Sequence, residues 1–123
     1  MIKGNYVDGF VLAIQKKNTA KYIKMASEAK TVWMRFGALD YKECVITDPK
    51  PKQVTLTFPK MMNTKPGEVV WFSYIVYKNK KHRDSVNKKV MAFFDKKYAN
   101  TKTDMPFDMQ RFAYGGFEVK VSA

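Results

Sequence analysis

The stretch Glu68–Tyr77, EVVWFSYIVY, limits the possible folds of this chain more than any other. Its ten residues are half the length of roughly 20 apolar residues that a membrane-crossing helix needs. Its content of β-branched and aromatic residues is that of a strand. Side chains alternate between the faces of a strand, and here both faces are apolar. Val69, Trp71, Ile75 and Tyr77 share one, while Val70, Phe72, Tyr74 and Val76 share the other. A strand of this kind must be covered on both sides. The chain, or a second molecule, therefore has to supply a layer against each face.

The neighbouring patterns show what the chain supplies. Residues 5–14, NYVDGFVLAI, read as a first strand. Asn18 or Thr19 can cap a helix running to about Phe36, with Tyr22, Ala26, Ala29, Trp33 and Phe36 on one face. Their spacing of four, three, four and three residues is helical, and Gly37 suits the position after the helix end. Residues 39–47, LDYKECVIT, alternate as a half-exposed or edge strand. A long connection, Asp48–Gly67, holds four prolines and a possible short strand at Val54–Phe58. Such a length is uncommon in a compact domain and often serves function. After the strand of the opening, Asn79 can cap a second helix through about Asp95, with His82, Val86, Val90 and Phe93 on one face. Residues 111–121 read as a last strand, in which Gly115 and Gly116 mark a bulge or a close backbone approach.

The order β-α-β-β-α-β is that of the ferredoxin-like plan, an α+β fold. One domain over residues 1–123 is expected, with a four-stranded antiparallel sheet and both helices on one of its faces. Apolar residues make up 46% of the chain, enough for a core without staples. The single cysteine, Cys44, allows no internal disulfide and suits a reducing cytoplasm. Asp8 breaks the apolar run near the start, so no secretory leader is expected. No segment is long enough to cross a membrane, and no membrane partner is expected.

The net charge of +12 resides on the expected helices. Residues 16–35 carry a net of five positive charges and residues 78–97 a net of six. Charge of this size recruits polyanions or serves solubility.

The segments YVDGFVLAI, GALDYKEC, KPGEVVWFSYIVYK, HRDSVNKKVM and MPFD…YGGFEV occur in this order. In them the chain resembles the YbaA-like proteins, a bacterial family of unknown function, over about residues 5–121. The resemblance implies a subunit of the dimeric α+β barrel superfamily, in which two sheets pack face to face. It brings no agreed activity and no established catalytic residues. A homodimer is thus the expected partner arrangement, with Trp71, Phe72 and Tyr74 as interface candidates whose face is not assigned. On a lone molecule such a face would be a large exposed apolar patch.

Three classes of function follow. In the first, the protein binds a small ligand, anionic where basic residues line it, in the cleft between sheet and helices. Lys80, Lys81 and Arg83 at a helix start are the candidate anion ligands. The second is a cofactor-free enzyme of the monooxygenase or isomerase kind found across the superfamily, with His82, Tyr74, Asp8 and Arg35 as catalytic candidates. The bland alternative for His82 is a hydrogen-bonded histidine tying helix to strand. The third class is polyanion or RNA binding through the lysine-rich helices. It is disfavoured because the third strand lacks the basic-Gly-aromatic pattern of RNA-recognition domains and the charge lies on the face opposite the aromatics. Cys44 reads as a small packed residue. One histidine and no ligand spacing argue against a metal site, and no phosphate-binding glycine loop points to a cofactor.

Overall fold

The structure is a computed structural model and describes residues 4–101 and 105–123. Strand β1 (Tyr6–Gln15) leads through a 3-10 turn into helix α1 (Thr19–Arg35) and strand β2 (Asp40–Val45). A short helix, α2 (Phe58–Met61), precedes strand β3 (Glu68–Tyr77), helix α3 (Lys80–Lys97) and strand β4 (Ala113–Glu118). The sheet order is β2-β3-β1-β4, with every neighbouring pair antiparallel. This α+β arrangement is consistent with the ferredoxin-like plan. The two ten-residue strands, apolar on both faces, occupy the centre, and the shorter, more polar strands form the edges.

The helix boundaries follow from local chemistry. Asn79 accepts the His82 N–H through its side chain at 2.8 Å and starts α3. Gly37, at φ +116°, takes the left-handed turn after α1. Residues Val54–Phe58 form no strand. Thr57 accepts the Lys60 N–H and caps α2, where Pro59 fits because the first helical turn does not need its missing N–H. The last strand is shorter than the sequence pattern implied. Asp108 caps a 3-10 turn at Met109–Arg111, and pairing begins only at Ala113. The Gly115–Gly116 pair makes no bulge, since its register with β1 is unbroken. It marks a close approach: the Phe117 ring lies over Gly9 and Gly115, and the Tyr6 hydroxyl presses on Gly116.

The register separates the two faces of β3. Trp71, Ser73, Ile75 and Tyr77 are buried on the helix side, while Phe72 and Tyr74 point to the open side. Under the helices the core is split. One cluster joins Tyr6, Val32, Ile75, Tyr77, Val86 and Val90; the other joins Leu12, Ile14, Tyr22, Ala26 and Trp71.

Candidate functional site

Among the described residues, the seam between the two core clusters is not filled. A cavity of about 800 Å³ lies there, walled by α1, the end of α3, the sheet and residues 105–112. Eight aromatic residues line it: Phe10, Tyr22, Trp33, Tyr41, Phe94, Tyr98, Phe107 and Phe112. Glu43 and Ser73 enter from the sheet, and Lys21, Lys24 and Glu28 from α1. A second cavity of about 370 Å³ lies between α1 and the β2 edge and shares Ala26, Tyr41 and Glu43 with the first.

Glu43 is the polar centre of this region. Its Oε1 accepts the Tyr22 hydroxyl at 2.6 Å and its Oε2 accepts the Tyr41 hydroxyl at 2.7 Å. Burial, reinforced by the Glu43 charge, pushes both tyrosine hydroxyls above their ordinary value, so they remain proton donors. A carboxylate offers about four acceptor positions, and two are taken. Among the described residues no lysine or arginine forms an ion pair with Glu43. Glu28, farther along the lining, differs. Lys97 donates to it at 2.5 Å and the Tyr98 hydroxyl also donates, and the two hold its carboxyl below the usual range.

Trp33 fixes the cleft's other wall. Its indole N–H donates to the Tyr77 hydroxyl at 3.1 Å and to Asn87 Oδ1 at 3.0 Å. That pair of bonds ties α1 to β3 and α3 at once.

A second carboxylate on the same sheet face, Asp8, is sealed beneath α3 at 1% exposure. Its Oδ1 accepts Arg83 Nη1 at 2.9 Å and the Tyr114 hydroxyl at 3.1 Å. Its Oδ2 is buried and has no hydrogen-bond partner among the described residues. Arg83 also donates to Tyr114, to the Tyr6 hydroxyl at 3.2 Å and to Asp84 at 2.8 Å. Burial pushes the Asp8 carboxyl up, against the pull of Arg83 and of the Tyr114 hydrogen bond.

The four catalytic candidates from the sequence lie apart. Asp8 is under α3, whereas Tyr74 projects from the open face of the sheet. Arg35 is exposed, with its guanidinium 5.6 Å from the Phe36 ring and 5.7 Å from the Phe93 ring. His82 Nδ1 accepts the Lys78 N–H at 3.0 Å, its ring meets Tyr77 edge-on, and its Nε2 reaches toward Gly37. Burial and then Lys78 and Lys89 hold the imidazole below its ordinary value. Of the anion candidates, Lys80 and Lys81 are exposed while Arg83 turns inward to Asp8. Of the interface candidates, Phe72 and Tyr74 share the open face with rings 6.1 Å apart. Trp71 is on the opposite face, 5.1 Å from the Tyr22 ring. Cys44 is exposed. Among the described residues no cluster of histidine, cysteine and carboxylates could hold a metal, and no helix is long and apolar enough to cross a membrane.

Glu43 was not among the site candidates drawn from the sequence. A signal was present: Tyr41, Glu43 and Val45 fall on one face of β2, which places a carboxylate on the inward side beside an aromatic.

Residues 5–109 match the model of a family described as "Protein of unknown function (DUF1428)". The chain is 39% identical over 113 residues to the "Uncharacterized protein YbaA" of Escherichia coli strain K12, covering 92% of this chain and 94% of that one. The protein of the same name from Shigella flexneri matches to the same extent. Among solved structures, the "De novo designed protein Foldit4" aligns with a TM-score of 0.45 at 12% identity, covering 94% of this chain and 99% of that one.

Proposed function

We propose that this chain, which belongs to the DUF1428 family of unknown function, binds a small molecule in the cleft between its sheet and its helices. The observation that carries this reading is the cavity of about 800 Å³. Ligand sites are mainly apolar pockets of about 300–1,000 Å³ with a few converging polar groups. Protein interiors are otherwise packed nearly as densely as organic crystals, so an unfilled seam of this size is a compartment.

Trp33 lines the cavity and Trp71 packs on its lining residue Tyr22, so the tryptophan fluorescence of the chain reports on occupancy. The uncharged dye Nile red should quench or shift that emission. Ala29 also lines the cavity, and Ala29→Phe should put a ring into it and weaken dye binding about tenfold or more, a change of about 1.4 kcal/mol or more. Equal dye binding by parent and Ala29→Phe, both folded by circular dichroism, would reject the cleft as the site.

A second reading rests on the opposite face, where Phe72 is 43% and Phe117 61% exposed. We propose that two copies pack these faces together about a two-fold axis, the commonest oligomer symmetry. Light scattering at micromolar concentration that finds only a 14.3 kDa species removes this reading. The lone Cys44 fits a cytoplasmic setting for such a protein.

A further inference from the structure

We propose that the ligand of the cleft is an amine: a small, largely apolar cation whose ammonium group binds Glu43. The inference rests on the cleft being the binding site and adds the chemical class of its occupant.

Three observations support it. First, Glu43 lines the cavity, and among the described residues it accepts from two tyrosine hydroxyls alone, which leaves about two of a carboxylate's four acceptor positions unused. A charged group removed from water is unfavourable unless it is paired. Second, the chain pairs its other inward carboxylates itself. Asp8 has Arg83 and Glu28 has Lys97, while Glu43 has no cation among the described residues. The missing partner matches a positive donor entering the cavity. Third, the rings of Tyr22, Tyr41, Trp33 and Phe94 surround that space, and aromatic faces attract a desolvated cation. An anion would instead meet the Glu43 charge. Lys21 and Lys24 also line the cavity, but both side chains are exposed to solvent, whose high dielectric weakens their repulsion of an approaching amine.

The test compares three ligands of similar size: 2-phenylethylamine, 2-phenylethanol and 3-phenylpropionate, each titrated against tryptophan fluorescence with Nile red displacement in parallel. The amine should bind about tenfold tighter than the alcohol, as a charge-assisted hydrogen bond requires, and the propionate weakest. Glu43→Gln should bring the amine level with the alcohol and leave the alcohol unchanged. Tyr41→Phe keeps the ring and the carboxylate but removes one donor, and should widen the gap between amine and alcohol. The proposal is overturned if the propionate binds best, or if Glu43→Gln leaves the amine's advantage intact. If all three bind equally and Ala29→Phe abolishes them all, the cleft stands and the amine class falls. If neither the three ligands nor Nile red binds, the cleft reading falls and takes the amine with it.

Discussion

Asp8 and Glu43 project from the same face of one sheet, and tyrosine hydroxyls approach both. They differ in what the helices bring to them. Helix α3 lays Arg83 on Asp8 and closes it off at 1% exposure. Helix α1 lays only Tyr22 on Glu43 and leaves a cavity beside it. The comparison teaches that one carboxylate–tyrosine arrangement is structural where the chain supplies the cation and is open to a ligand where it does not. The Asp8 cluster is buried within the fold; the Glu43 region is the proposed site.

The largest expected effect comes from breaking the closed side. Arg83→Met leaves Asp8 as an uncompensated buried charge, which should lower stability by about 3–5 kcal/mol. Denaturant titration measures it. A loss under about 1 kcal/mol, the range of an exposed ion pair, would mean that Asp8 is not sealed and would erase the contrast with Glu43.

A third carboxylate sharpens the comparison. Glu68 at the start of β3 accepts Arg111 through both oxygens, at 2.7 and 2.8 Å. The Arg111 hydrogen bonds, with help from the Lys65 N–H, hold it down to about 2 from an ordinary 4.5. Glu68→Gln should lose about 1.5–3 kcal/mol near neutral pH, the range for hydrogen bonds to charged groups. Its folded value lies below the unfolded one, so the contribution is present above about 4.5 and disappears as pH falls toward 2. Asp8 has the opposite sign. Its folded value is raised above 3.8, so the folded state holds the proton more tightly, and stability falls as pH rises from 3.8 through the folded value. Stability curves against pH for Glu68→Gln and Asp8→Asn should therefore depart from the parent in opposite directions. Parallel departures would contradict the assignment of Asp8 as the buried, imperfectly satisfied group.

The sheet and both long helices were legible because their signals are local. The two-faced apolar run of β3, the stripe from Tyr22 to Phe36, and the caps at Asn79 and Gly37 each act within a few residues. The connection between β2 and β3 was misread because Thr57 and Pro59 start a helix where VTLTF alone resembles a strand. The site was less legible, since its contacts join distant segments: Asp8 to Arg83, Tyr22 to Glu43, Trp33 to Tyr77 and Asn87. The candidate set His82, Tyr74, Asp8 and Arg35 consisted of reactive residue types. Residue type does not say on which face of a sheet a side chain lies, and it is the register of β1 with β3, Asp8 opposite Ile75, that parts Tyr74 from Asp8.

The smallest expected effect on stability belongs to Glu43→Gln, and that smallness is informative. The amide oxygen still accepts one tyrosine hydroxyl, while the amide N–H group can donate to the other tyrosine oxygen. What is lost is charge assistance in two hydrogen bonds; what is gained is relief from holding an unpaired carboxylate beside an aromatic wall. These terms oppose each other, so the net change should stay within about 1 kcal/mol, the worth of a single ordinary hydrogen bond. Arg83→Met has no such offset. If Glu43→Gln proves as damaging as Arg83→Met, then Glu43 is a core group like Asp8, satisfied within the fold, and the cleft offers a ligand no free charge to meet.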